Sequence, residues 1–214
     1  MEKDLVKPKA KKSRKTPAAG IGAGPIVEAE YGNYKIRAGQ LNGEFVARAF
    51  PKHSAKSQGL MAEAKGTSET DAIETLKSLL SERETTRTAA RRWEVRSEST
   101  VATQEEFLEA LRQTNLSAAQ QSMLKAHALA GVDGLVAVAI MNAGGYKSQD
   151  AAIKALAKAG MLMADFIGLD LSEGDKNGPE TALSVLGYRS AAETDVPLHL
   201  ILHEELREAV WQTL

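Results

Sequence analysis

The dipeptide Asn42-Gly43, inside "YKIRAGQLNGEFVARAF" (residues 34–50), constrains this chain more than any other feature. A two-residue turn joining twisted antiparallel strands needs positive φ at both positions, and Asn-Gly is the pair that adopts it most readily. The flanks alternate between apolar and polar residues, so the register follows from the turn. Leu41 pairs with Glu44 and Gln40 with Phe45. Tyr34, Ile36 and Ala38 then share one face with Phe45, Ala47 and Ala49. Arg37 falls opposite Arg48 on the other face. Like charges directly opposed are unfavourable. Either both side chains splay into water, or an anion or acidic partner sits between them, and Arg37 and Arg48 are candidate binding residues on that ground.

"GLMAEAKG" (residues 59–66) predicts a third strand. Ser68 is placed to cap a following helix, with Asp71 three residues on. Ile73, Leu76, Leu79 and Leu80 supply its buried stripe, and the pattern allows the helix to continue to Trp93. Arg83, Arg87 and Arg91 are spaced four apart and form one ridge, with Arg92 beside it. Such a ridge is either a solvated face or a surface for nucleic acid or an acidic protein. Residues 26–95 therefore read as one module: hairpin, third strand and helix.

A second module, residues 96–214, is mainly helical. Thr103-Gln-Glu-Glu106 and Ser117-Ala-Ala-Gln120 are both capping boxes. They open helices carrying Phe107, Leu108 and Leu111, then Met123, Leu124 and Ala128. Gly131 to Gly134 breaks the second of these. A short helix is expected from Leu135 to Ala143, ended by Gly144-Gly145. Ser148 then caps a long helix running to about Gly168, with Ala152, Leu156, Ala159, Met163 and Phe166 on one face. "TALSVLGYR" and "VPLHLIL" read as two strands joined by "SAAETD", and "HEELREAVWQ" as a closing helix. Helix, helix, helix, hairpin, helix suits a winged helix with the hairpin as its wing. The expected fold class is thus α+β: a small antiparallel sheet with a long helix, then a winged-helix-like helical module.

Charge separates these parts. Residues 1–25 hold seven Lys/Arg against two acids, net +5; residues 26–93 hold eleven against nine, net +2; residues 94–214 hold nine against seventeen, net −8. The first segment has almost nothing to bury and reads as a disordered basic arm. It is either a solubilising tail or a sequence-independent arm for phosphates.

Two stretches carry family resemblances. "YKIRAGQLNGEFVARAFP" with "ETDAIETLKSLL" resembles the β-sheet-plus-helix domain of HicB-like antitoxins, a likeness of pattern that brings no catalytic residue with it. Residues 116–169, with 182–187 and 198–210, resemble a bacterial winged-helix-like helical domain often found beside HNH-type nuclease domains. The residues that carry this are Ser117, Gln120, Met123, Leu124 and His127, the Gly145-Tyr146-Lys147 turn, Ala151-Ala152 and Gly160. The chain departs from the pattern at Gln149 and Leu156, where aromatic residues are expected, and at Met161, where a basic residue is expected. It has no HNH-type His and Asn cluster, so the resemblance does not imply nuclease activity.

On this reading the long helix presents Lys147, Ser148, Gln149, Lys154 and Lys158 to a partner. Gln suits adenine, and Lys suits guanine or phosphate. Asp150 and the −8 charge oppose DNA, while the arm and the arginine ridge favour it. The expected function is DNA binding by a regulator of bacterial or phage origin. The alternative is a non-enzymatic protein inhibitor, antitoxin-like or anti-defence, using the same helix. A homodimer is compatible with either.

Catalysis is not expected. His199 and His203 are four apart but fall in a strand and at a helix start, not on one zinc-binding helix face. "GIGAGP" lacks the preceding strand of a dinucleotide loop, and Pro25 obstructs a helix there. Glu105-Glu106 and Glu204-Glu205 are helix-start acids suited to the macrodipole. No nucleophile lies beside a base, and no cofactor or metal is implied. The chain has no cysteine, which excludes disulfides and thiolate metal sites and fits a reducing compartment such as the cytoplasm. The longest apolar run, Leu135 to Met141, is far too short to span a membrane, and charges after Met1 argue against a signal peptide.

Overall fold

The structure, a computed structural model, describes residues 25–52, 59–169, 171, 178–190 and 199–214. The basic arm expected at 1–25 lies outside them, apart from Pro25. So does most of the expected "SAAETD" connection.

The first unit is a four-stranded antiparallel meander, β1 (Val27–Tyr31), β2 (Tyr34–Leu41), β3 (Glu44–Pro51) and β4 (Ala62–Gly66), in that spatial order. The β2–β3 register has Leu41 against Glu44 and Arg37 against Arg48, and Asn42 and Gly43 both have positive φ. Expecting three strands missed β1, because "VEAEY" is short and mostly exposed and gains its strand form by pairing with β2. The face bearing Ile36, Ala38, Ala47, Ala49 and Ala64 is buried under helix α1 (Glu69–Ala90) through Ala72, Ile73, Leu76 and Leu80. Small alanines on the sheet let the helix backbone come close. At Gly66 a Cβ would run into the backbone of Ala72. Ser68 caps α1 by accepting from the Asp71 amide at 3.1 Å.

Two expectations for α1 need correction. Leu79 is exposed, so the buried stripe is Ala72-Ile73-Leu76-Leu80. The helix also stops at Ala90 and does not reach Trp93. Arg92–Glu94 is strand β5, paired with β6 (Ser99–Val101) in a hairpin that straddles residue 95.

The second hydrophobic cluster runs from Val101 to Val210. Its helices are α2 (Gln104–Gln113), α3 (Ala118–Ala130), α4 (Ala137–Gly144), α5 (Gln149–Ile167), α6 (Pro179–Ser184) and α7 (Glu204–Thr213). Both capping boxes are formed. Phe107, Met123, Leu124, Ile140, Leu156, Met163, Leu186, Leu202 and Leu206 are almost wholly out of solvent. Phe166 is only half-buried, and Ile167 takes its place in the core.

The expected helix at Leu135 begins as a strand, β7 (Leu135–Val136), which pairs with β9 (His199–Leu202). β8 (Gly187–Arg189) pairs with the other edge of β9, so the small sheet runs β7-β9-β8. "TALS" is helical and not a strand, because Pro179 at the first turn of α6 pre-sets φ for a helix. The sheet seats closely at its glycines. A Cβ on Gly134 or Gly187 would collide with β9 backbone carbonyls, and Gly134 also has positive φ.

Candidate functional site

The residues expected to bind a partner fall into an arginine ridge paired within the fold, the Arg37/Arg48 pair on the sheet, and a set facing out from the α4–α5 turn.

The first group is the arginine ridge. The last two turns of α1 lie beside α2, and the four-residue spacing of the arginines meets acids three and four apart on the facing helix. Arg83 donates to Glu109 at 3.0 Å and to the Met61 carbonyl at 3.4 Å. Arg87 donates to the other oxygen of Glu109 at 2.7 Å and lies 3.6 Å from Glu105. Arg91 grips both oxygens of Glu106, at 2.6 and 3.3 Å, and also donates to the Ile167 carbonyl at the end of α5. Arg92 takes both oxygens of Glu205 on α7, at 2.6 and 3.1 Å, and bonds Glu94 at 2.9 Å. The ridge is therefore ion-paired within the fold along the seam between the sheet unit and the helical unit, with Arg87 and Arg91 mostly covered and Arg83 and Arg92 still partly exposed. Glu106 is doubly engaged, since it also accepts from the Thr103 amide in the capping box. Sequence reasoning assigned Glu105 and Glu205 to helix dipoles, and Glu106 to a dipole and a capping box, and none of them to the arginines. The signal that could have found the seam is the match between a ridge of Arg at i, i+4, i+8 and acids at i, i+1, i+4.

The electrostatics follow from this packing. Glu94 is covered mainly by charged side chains. Hydrogen bonds from Arg96 and Arg92 hold its carboxyl down at about 2 despite burial. Burial pulls Glu106 and Glu205 upward, but Arg91 and Arg92 outweigh it and both carboxyls sit below their usual value.

Arg37 and Arg48 face each other as expected, and each stays exposed while pairing with an acid of the same sheet. Arg37 pairs with Glu28 on β1 at 3.1 Å and Arg48 with Glu63 on β4 at 2.6 Å. The four residues form one transverse row, Glu28-Arg37-Arg48-Glu63, set by the register of three strand pairs. Each outer acid offsets the repulsion between the inner arginines.

The third group stands on the α4–α5 turn. Gly145, at φ 68°, ends α4 in the left-handed region, and the Tyr146 amide donates back to the Met141 carbonyl at 3.0 Å. Tyr146 packs its ring against Gly144, where a Cβ would meet it at 2.7 Å. The turn thus has one rigid conformation. It leaves Lys147, Ser148, Gln149 and Asp150 exposed at the start of α5, and the Ser148 hydroxyl caps the helix by accepting from the Ala151 amide at 3.3 Å. Ala152, Leu156, Ala159, Gly160 and Met163 are buried. Gly160 admits α6: a Cβ there would run into the Ala182 carbonyl. Gln120 on α3 donates to the Ala155 carbonyl at 2.8 Å and fixes the roll of α5. Ala151, Lys154 and Lys158 consequently form an exposed stripe at helical spacing. Among the described residues, Lys147, Lys154 and Lys158 make no ion pair, in contrast to the ridge.

The histidines are structural in their contacts. His127 donates from Nδ1 to the Met123 carbonyl at 2.9 Å, and His203, in front of α7, donates from Nε2 to the Ser184 carbonyl at 2.8 Å. Both rings are fully buried, and the second nitrogen of each has no partner. His199 Nδ1 bonds the Asp133 carbonyl at 2.7 Å. Among the described residues no cluster of three metal-ligating side chains exists, and no helix is long and apolar enough to cross a membrane.

No protein-family model, curated protein or solved structure matches the chain.

Proposed function

We propose that this chain is a DNA-binding protein, a regulator of bacterial or phage type, and that α5 enters the major groove with β8–β9 as the wing. The observation that carries the reading is the contrast between its cations. The arginines of the ridge are consumed by carboxylates within the fold, while Lys147, Lys154 and Lys158 on one exposed end and face of α5 make no ion pair among the described residues.

The element order around α5 supports it: helix, short strand, helix, tight turn, long helix, then the short α6 and the β8–β9 pair. The −8 charge of the second module weighs less against DNA once Glu94, Glu105, Glu106, Glu109 and Glu205 are seen to sit against arginines. Gln149 suits adenine and the lysines suit guanine or phosphate. Asp150 restrains non-specific phosphate binding at the same helix end. Titration of a mixed duplex library by fluorescence anisotropy at low salt tests the proposal. Binding that weakens steeply with salt supports it, and no binding at low salt overturns it.

A second reading, a stoichiometric protein inhibitor, is favoured by one observation. Trp93, Val95 and Trp211 are large apolar side chains more than half exposed, a feature more common on partner-binding surfaces than elsewhere. Co-purification of one protein that survives nuclease treatment, with no DNA shift, would select it.

A further inference from the structure

A cleft of about 850 Å³ lies where the β1–β2 turn, the second half of α1, α2 and the C-terminal end of α5 meet. That volume is within the range of small-molecule sites, roughly 300–1,000 Å³, and junctions between structural units are a preferred place for them. We infer that this cleft binds a small organic cation, an ammonium carried on an aromatic or alkyl body, between the sheet unit and the helical unit.

Three features set the chemistry. First, the cations in the wall are already neutralised. Arg87 is held by Glu109 at 2.7 Å, and Lys52 by Glu30 at 2.6 Å. An anionic ligand would have to displace a carboxylate to reach either. Second, negative potential remains. Asp165 is exposed with no ion pair among the described residues, and Glu84 reaches only Arg91, at 3.5 Å. The last turn of the nineteen-residue α5, from Asp165 to Gly168, also lines the cleft and brings the negative end of its dipole there, partly offset by Arg91, which donates to the Ile167 carbonyl. Third, Tyr31, Tyr34 and Phe166 line the cleft, and aromatic faces attract cations. Tyr34 is largely covered, and its phenol lies within the field of Arg83, Arg87, Glu109 and Glu84, so it forms a fixed part of the wall.

The walls are also connected to each other. The amide of Asn33, on the β1–β2 turn, lies against Gly168 so closely that a Cβ there would meet its nitrogen at 2.9 Å. An occupant therefore touches both units at once. This inference does not depend on the DNA reading, because binding is measured on the protein alone.

The test titrates the full-length chain with phenethylammonium, with phenethyl alcohol and phenylacetate as the neutral and anionic counterparts. Binding is followed by calorimetry and by NMR shifts. The expected result is saturable binding of the ammonium probe, weaker binding of the alcohol and none of the acid, with shifts centred on Tyr34 and residues 165–168. Asp165→Asn and Tyr31→Ala, both at exposed positions, should each weaken binding by about fivefold or less. Four outcomes overturn the proposal: no ammonium binding into the millimolar range, phenylacetate binding as tightly, shifts centred elsewhere, or unchanged affinity in both variants.

Discussion

Arg91 lays its guanidinium across both carboxylate oxygens of Glu106, at 2.6 and 3.3 Å, and both side chains are almost sealed from solvent, 7% and 2% exposed. The pair joins the end of α1 to the start of α2, and through the Ile167 carbonyl it reaches the end of α5. One contact thus ties together three elements that are distant in sequence.

Breaking this pair from one side should be more harmful than removing its charge from both. Arg91→Met leaves the Glu106 carboxylate buried without its partner, a change that costs about 3–5 kcal/mol in comparable settings. Adding Glu106→Gln should recover part of that loss, since the amide needs no counter-charge and can still accept from Thr103. Urea unfolding of the two single variants and the double variant measures the coupling. A double variant less stable than Arg91→Met alone would contradict the seam described above.

The acid limb of stability should depend on Glu94. Its carboxyl sits at about 2 when folded, against an ordinary 4.5. A depressed carboxylate contributes stability fully above its unfolded value and loses it as pH falls through the folded one. The expected window is therefore pH 4.5 down to about 2. Glu94→Gln should flatten the stability–pH curve in that window and leave the slope at neutral pH unchanged, as read by melting temperature across pH.

His127 and His203 act in a higher window. Burial lowers both below 6.5, more than their single hydrogen bonds to carbonyls raise them. A neutral buried imidazole contributes stability above its unfolded value, and that contribution falls as pH drops below it. Stability should decline below pH 6.5, before any carboxylate protonates. His127→Leu should reduce that slope; an unchanged slope between pH 7 and 5 would mean that protonation finds a partner for the bare Nε2.

Gly160→Ala should destabilise against helix propensity. Ala is favoured over Gly in a helix interior by about 1 kcal/mol. At this position the new methyl would strike the Ala182 carbonyl of α6, and overpacking of a tight contact costs about 1–3 kcal/mol. Chemical denaturation decides the sign. A more stable variant would show that α6 yields readily.

Lys154→Ala with Lys158→Ala should change stability by less than about 0.5 kcal/mol, because both side chains are exposed and make no ion pair among the described residues. If α5 contacts phosphates through both, the salt slope of DNA binding should fall by about two. Arg83→Ala with Arg87→Ala should do the reverse, lowering stability without changing that slope. Slopes that respond to the arginines and not to the lysines would place DNA on the wrong surface.

What the sequence determined alone is what short-range chemistry controls. Asn42-Gly43 set the β2–β3 register to the residue, because a two-residue turn with positive φ at both positions leaves no other pairing. Thr103, Ser117 and Ser148 marked three helix starts, since a cap and the amide it satisfies are three residues apart. Alternation and helical spacing identified most of the two cores and the outward placement of Lys154 and Lys158. Tertiary structure decided everything whose partner is remote. β7 is two residues long and exists because β9 pairs with it from sixty-five residues away. β1 is short and mostly exposed, and becomes a strand only beside β2. "TALS" has strand-like residues, but Pro179 and the close seat at Gly160 make it a helix. The arginine ridge is the fullest case: spacing revealed that the charges share a face, but only the fold brought Glu106, Glu109 and Glu205 to it. A charged side chain meets solvent, a ligand or an internal partner according to what the chain brings near it, and no local pattern encodes that choice.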